Sequence, residues 1–138
     1  MDTDRDRVEA ALVAAVRTRD AYLTEIASHL INAGGKRLRP VMTLAAAQIG
    51  NSLPVGDDII SGGIACELVH LGSLYHDDVM DEGTTRRGVE TVNAKWGNLQ
   101  AILAGDFLLS RASEIAASLG TEIAGLLART IGQLCEGQ

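Results

Sequence analysis

Residues 57–81 read DDIISGGIACELVHLGSLYHDDVMD, and this stretch decides the fold. It carries no proline and no period-two alternation, and Asp57 or Asp58 can cap it as one long helix ending near Asp81. At about 1.5 Å per residue that helix spans roughly 37 Å, enough to cross a small domain. Gly62, Gly63 and Gly72 lie inside it. Each costs about 1 kcal/mol in a helix interior, so their presence calls for close packing or a space kept empty.

The same reading extends outward. Residues 4–18 place Val8, Leu12 and Val16 on one face, and residues 20–33 do the same with Leu23, Ile26, Leu30 and Ile31. Gly34-Gly35 stops the second helix, and Pro40 suits the first turn of a third over 39–49. Asn51 to Pro54 reads as a turn. Beyond the long helix, residues 82–93 (EGTTRRGVETVN) read as a polar loop, followed by helices over about 98–119 and 121–136. No repeat, low-complexity segment or linker interrupts the chain. The expected fold class is all-α, with residues 1–138 as a single helical domain.

Composition bounds the function. The 138 residues fit one domain, and 46% hydrophobic content is too apolar for intrinsic disorder. No uncharged apolar run approaches the roughly 18–20 residues of a membrane span. The charged start MDTDRDRVEA is unlike a secretory signal, so a cytoplasmic location is expected. Twelve Lys plus Arg against 18 Asp plus Glu leave a net charge of −6, which argues against a nucleic-acid partner. A few clustered cations can still hold an anionic substrate. Cys66 and Cys135 lack metal-site spacing and read as reduced core thiols.

Two charged clusters carry chemistry. Asp77 and Asp81, with Asp78 between them, end the long helix, about 6 Å apart on one face. Like charges repel there, and the helix C-terminus is itself negative, so a cation should compensate. Magnesium takes one or two carboxylates plus substrate phosphates. The plainer reading is a solvated acidic helix end. Upstream, GGKRLRP (34–40) sets Lys36 and Arg39 three apart near a helix start, a ready anion site, or else an ordinary basic loop. His70 lies two turns before Asp77, on nearly the same face, and Arg86-Arg87 follow the acids by five residues. His76 reads as helix packing only. Together these suit a pair of diphosphate substrates, one held through metal and one directly by cations.

The ordered set GGKRLRP, ELVH, HDDVMDE, TTRRG and GDFLLSRA resembles the trans-type isoprenyl (polyprenyl) diphosphate synthases, over the N-terminal part of a full-length member. The resemblance implies an all-α isoprenoid synthase-type bundle, here incomplete, around a deep cavity. It implies a magnesium-dependent prenyltransferase that joins isopentenyl diphosphate to an allylic diphosphate and releases pyrophosphate. Lys36, Arg39, His70 and Arg87 match the isopentenyl diphosphate site. Arg86 matches the residue on the allylic diphosphate. Asp77, Asp78 and Asp81 match the first magnesium-binding motif and, with Arg86, are the expected catalytic set. The small Gly72 and Ser73 resemble members that make longer all-trans products, and bulk at either position is expected to shorten the product. The helix at 98–119, with Gly105, Asp106 and Phe107, matches the homodimer region.

Two departures accompany the match. The family's second acidic motif and a later basic residue lie beyond Gln138, so the 138 residues alone are expected not to turn over and to expose apolar helix faces. The chain is therefore expected to be a piece of a longer enzyme. One alternative is a non-catalytic partner subunit of a heteromeric synthase, although such subunits tend to lose the charged motifs kept here. Another is a class I terpene cyclase, which would have no use for Lys36, Arg39 and His70.

Overall fold

The computed structural model describes residues 2–51 and 53–138. Among these described residues are seven helices and one short hairpin. In chain order these are α1 (Asp2–Ala15), α2 (Ala21–Asn32), α3 (Leu38–Gln48), α4 (Asp57–Met80), β1 (Thr85–Arg86), β2 (Val89–Glu90), α5 (Val92–Trp96), α6 (Asn98–Ser118) and α7 (Thr121–Gly137). All but the short α5 fall where the apolar spacing puts them, and the caps explain why. Asp20 accepts hydrogen bonds from the Tyr22 and Leu23 amides at 2.9 and 3.3 Å, starting α2. Gly34 and Gly35, at φ 92° and 146°, end the chain's helical run before α3. The start of α4 differs from expectation. Gly56 occupies the N-cap, while Asp57 and Asp58 lie inside the first turn, where their charge complements the helix dipole. Arg7 draws Asp57 there, donating to its carboxylate at 2.8 Å and to the Val55 carbonyl at 2.7 Å.

α4 is the axis of the bundle. Ile64, Leu68, Leu71 and Tyr75 share a core with Leu12 of α1 and Val16 just after it, Ile26 and Leu30 of α2, Leu44 of α3 and Leu108 of α6. The Tyr75 hydroxyl donates to the carbonyls of Ile26 and Ala27 at 2.7 and 3.1 Å, tying α4 to the middle of α2. The glycines of α4 divide between the two reasons anticipated for them. A Cβ on Gly63 would lie 3.1 Å from Pro40 Cα, and one on Gly72 would lie 3.0 Å from the Gly105 carbonyl oxygen. Both mark helices packed backbone to backbone. Gly62 meets nothing closer than 4.0 Å and borders open space instead.

The segment 82–93 is more ordered than a polar loop. β1 and β2 pair antiparallel, Thr85 with Glu90 and Arg86 with Val89. Arg87 and Gly88, at φ 53° and 77°, form the two-residue turn, with both in the left-handed region as a type I′ turn requires. Strands of two residues are too short to show alternation, so the sequence could not announce them. α5 follows, capped by the Thr91 hydroxyl on the Ala94 amide. Among the described residues, no helix is long and apolar enough to cross a membrane.

The cysteines correct the sequence reading. Cys66 and Cys135 are both exposed, not core thiols. Cys66 points into a cavity beside α4 rather than into a helix–helix contact, and α7, which carries Cys135, buries none of its residues. His76 has a definite partner, the Ile102 carbonyl at 3.1 Å, and lies 3.4 Å from Asp106.

Candidate active site

The cation cluster is assembled by the turn from α2 to α3. Arg37 sits at φ 51° and is buried. Its guanidinium pairs with Glu9 at 2.7 Å and donates to the carbonyls of Ile31 and Gly34 at 3.0 and 3.1 Å. It therefore pins the loop, while Lys36 and Arg39 on either side are exposed. Arg87 arrives at the same place from the hairpin, donating to the carbonyls of Leu30 and Gly34 at 3.0 and 2.6 Å. A side chain at position 35 would collide with both arginines, since its Cβ would lie 2.9 Å from Arg37 Nη1 and 3.1 Å from the Arg87 guanidinium. Gly35 is needed for that approach as well as for its φ.

His70 faces this cluster from α4. Burial, then Arg39, Arg87 and Arg86, push its imidazole down to about 4 from an ordinary 6.5. It is neutral at pH 7, and a bound diphosphate would offset the arginines that hold it so. A stability consequence follows from the sign of this shift. Between about pH 4 and 6.5 the unfolded chain binds a proton at His70 that the folded chain does not, so stability falls as pH drops through that window. His70→Asn should flatten the slope of unfolding free energy against pH there, read by urea titration. Parallel slopes for the two proteins would contradict it.

The acidic end of α4 separates its three aspartates. Asp78 is 5% exposed, and Arg86 grips it with both faces of its fork: Nε to Oδ2 at 2.9 Å and Nη2 to Oδ1 at 2.8 Å. Those hydrogen bonds hold Arg86 above its ordinary pKa, against the effect of burial. The Asp78 carbonyl also accepts from the Gly83 amide at 2.9 Å, so Asp78 fixes both Arg86 and the chain that leads into the hairpin. Asp77 is half-buried and Asp81 exposed, and neither has an ion-pair partner among the described residues. The two are hard oxygen donors one turn apart, a donor set that fits a magnesium ion completed by substrate phosphates. Asp78, with its oxygens engaged by Arg86, is the member of the trio built to hold a neighbour.

Between the clusters lies a cavity of about 520 Å³, mostly apolar, lined by Arg39, Cys66, His70, Ser73, Leu127 and Leu134 among others. Val69, Ser73 and Leu134 also border a second hollow of about 120 Å³ that reaches Asp77. Arg39, His70 and Asp77 thus share one apolar surface running down α4. Ser73 faces it. Gly72 does not, being packed on α6, which corrects the expectation that the two small residues act alike. The helix expected at 98–119 has two faces: Ala101, Ala104, Gly105, Leu108 and Ala112 are buried, whereas Leu99, Ile102 and Leu103 are exposed. Leu126 and Leu134 of α7, which line the cavity, are also exposed. Sequence reasoning missed Arg37, Glu9 and Glu67. Arg37 and Glu9 sit in charged stretches that read as solvated, and only their pairing across 28 residues reveals otherwise; Glu67 sits in an apolar run, where only the packed bundle shows that it is buried.

A family model described as polyprenyl synthetase matches residues 20–138. The nonaprenyl diphosphate synthase of Mycobacterium tuberculosis is 47% identical over 132 residues, 96% of this chain and 39% of its own length. The heptaprenyl diphosphate synthase component 2 of Geobacillus stearothermophilus is 42% identical, over 100% of this chain and 43% of its own length. A crystal structure of polyprenyl synthase from Caulobacter crescentus, complexed with calcium and isoprenyl diphosphate, is 36% identical. It matches with a TM-score of 0.91 over 99% of this chain and 41% of that one. The chain spans about two-fifths of the length of the curated relatives it matches. The all-helical bundle expected from the sequence is the architecture it shares with that crystal structure.

Proposed function

Because this chain belongs to the polyprenyl synthetase family, we propose that residues 1–138 supply three parts of a prenyltransferase. These are the isopentenyl diphosphate site, the first pair of magnesium-binding carboxylates and one wall of the hydrocarbon cavity. The observation that carries this reading is the shared surface. Arg39 and His70 line the apolar cavity whose wall continues to Asp77. A substrate held by its diphosphate at one end and its hydrocarbon tail along α4 fits that arrangement. Isoprenyl diphosphate and a divalent cation in the Caulobacter crescentus relative support it.

In the mechanism, Lys36, Arg39, Arg87 and His70 hold isopentenyl diphosphate by charge and hydrogen bonds. Asp77 and Asp81 would hold the magnesium, and Arg86, oriented by Asp78, would hold the allylic diphosphate. Magnesium, when bound, neutralises charge gathering on the departing diphosphate. The allylic carbon–oxygen bond breaks, the isopentenyl double bond attacks the allylic cation, and a proton is lost to the released pyrophosphate. Val69, Leu127 and Leu134 give the cavity apolar walls that, closed by the rest of a full-length enzyme, would keep out the water that quenches the cation. The length of the cavity wall along α4, open at Gly62, Ala65 and Cys66, suits a longer all-trans product. The exposed row Leu99, Ile102 and Leu103 on α6 suits a homodimer contact. A cytoplasmic location belongs to the same reading.

A second reading is one component of a two-component synthase, favoured by the 42% identity to heptaprenyl diphosphate synthase component 2. The intact Asp77, Asp81, Lys36 and Arg39 make this chain the catalytic component in that case, not a silent partner.

The test uses a full-length enzyme, meaning a chain of the relatives' length that carries residues 1–138. Lys36→Ala and Arg39→Ala should each raise the KM for isopentenyl diphosphate by roughly tenfold or more, as loss of a charge-assisted contact predicts. The KM for the allylic substrate should hardly move. A rise confined to the allylic KM would reverse the assignment of the two sites, and no condensation by the unaltered enzyme would end the reading.

A further inference from the structure

Two guanidinium groups converge on one atom of the cation cluster. Arg37 Nη1 and Arg87 Nη1 both donate to the Gly34 carbonyl oxygen, at 3.1 and 2.6 Å. Like charges brought to one oxygen repel, and burial, then Arg37, hold the Arg87 guanidinium below its ordinary pKa. The convergence calls for an anion. Among the described residues, Glu9 of α1 is the only carboxylate in an ion pair with Lys36, Arg37, Arg39 or Arg87. It takes Arg37 at two points, Nε to Oε1 at 2.7 Å and Nη2 to Oε2 at 3.2 Å. Such a pair fixes the plane of the fork as well as offsetting its charge. Arg37 needs fixing. Its φ of 51° and ψ of 41° lie in the left-handed region, which a long side chain rarely enters, and it starts α3 without a side-chain cap. A hollow of about 290 Å³, lined by Arg5, Glu9, Gly35 and Arg37 among others, borders the pair. Packing thus leaves the guanidinium room to turn, and its hydrogen bonds to Glu9, Ile31 and Gly34 decide where it points. Lys36 precedes Arg37 and Arg39 follows it by two residues, so the backbone that Arg37 fixes is the one that aims both.

We propose that Glu9 is a positioning residue of the isopentenyl diphosphate site: its two-point pair with Arg37 lets Arg37 and Arg87 share the Gly34 carbonyl, and so holds in register the turn that carries Lys36 and Arg39 and the hairpin that carries Arg87. This rests on the assignment of those cations given above. Glu9 acts through Arg37 and needs no contact with substrate. Its loss leaves a buried cation without its counter-charge, beside a second cation. Relief comes when Arg87 leaves Gly34 or Arg37 swings into the hollow. Either movement shifts cations away from isopentenyl diphosphate. Asp77 and Asp81, on and just after α4, and Arg86, gripped by Asp78, are held by other contacts and stay in place.

The experiment removes the charge and keeps the shape. In the full-length enzyme, Glu9→Gln should raise the KM for isopentenyl diphosphate on the order of tenfold, the scale of one charge-assisted contact. The allylic KM and kcat should hardly move. Glu9→Asp keeps the charge but draws it back by one carbon, so it should recover part of the loss, and it serves if the glutamine variant does not fold. In an Arg37→Met background, Glu9→Gln should change the KM no further, because the two residues act as one unit. A glutamate that merely stabilises the fold would raise both KM values or lower kcat, and its effect would add to that of Arg37→Met. Either result overturns the proposal, as does an unchanged KM for isopentenyl diphosphate or failure of both Glu9 variants to fold. Titration calorimetry with isopentenyl diphosphate, without divalent cation, reads binding apart from turnover, and its Kd should rise by a similar factor in Glu9→Gln. If the unaltered enzyme binds isopentenyl diphosphate without condensing it, the prenyltransferase reading fails. The calorimetry still decides the role of Glu9, and an unchanged Kd overturns it.

Discussion

Asp77→Ala and Asp81→Ala are each expected to lower kcat of the full-length enzyme by on the order of 10²–10³-fold, the usual loss when one preorganised electrostatic contact to a transition state is removed. The same substitutions are expected to leave stability unchanged or to raise it by about 0.3 kcal/mol. Both expectations come from one geometry. The carboxylates stand one turn apart at the C-terminal end of α4, with no ion-pair partner among the described residues. Each repels the other and the helix dipole, so removing one relieves the protein. Urea denaturation and steady-state kinetics on the same preparations separate the two effects. Activity lost in parallel with stability would mean that the pair is structural. Asp78 should behave in the opposite way. It is buried and bound at two points by Arg86, so its loss would strand the arginine as well as disturb the site.

The second large effect distinguishes two neighbours. Gly72→Phe is expected to cost about 3 kcal/mol or more in stability, beyond the ordinary range for overpacking. The reason is backbone contact: even a Cβ there would sit 3.0 Å from the Gly105 carbonyl oxygen and 3.1 Å from Leu109. α4 and α6 would have to part, and the core with them. Ser73→Phe, one residue on, should fold. Its side chain borders the cavity, and the replacement loses one hydrogen bond, from the serine hydroxyl to the His70 carbonyl at 2.6 Å. The ring would fill part of the cavity of about 520 Å³, so the longest prenyl product should become shorter. Chromatography of the dephosphorylated products reads the second outcome and thermal or urea unfolding the first. Unchanged product lengths in Ser73→Phe would show that the tail does not run along this wall. A stable Gly72→Phe would contradict the α4–α6 packing.

The contrast between these residues shows how far the amino-acid order is legible. Six of the seven helices were readable to within two or three residues, because their signals are local: Gly34-Gly35 at a stop, Val8, Leu12 and Val16 at helical spacing; the five-residue α5 was too short to show a period. The charged motifs were readable as candidates for the same reason, since i,i+4 spacing alone puts Asp77 and Asp81 on one face. The faces of α4 were not. It is surrounded by α1, α3, α5 and α6, so apolar residues occur all round it and periodicity no longer says which side meets a helix and which a cavity. Gly72 and Ser73 looked equivalent for that reason, and Cys66 looked like core.

Local chemistry, then, decides where this chain coils, where it turns and which charges it gathers near one another, because helix caps, glycine conformations and side-chain spacing act over a few residues. Tertiary structure alone decides what those charges do. Arg37 becomes a pin because Glu9, 28 residues away, reaches it. Arg87 joins the cluster because a two-residue turn aims it at the Leu30 and Gly34 carbonyls, more than 50 residues back. Glu67 is buried by helices that the residues around it do not specify. Burial and electrostatic partnership depend on every element packed against a side chain, and they exist only once the bundle has closed.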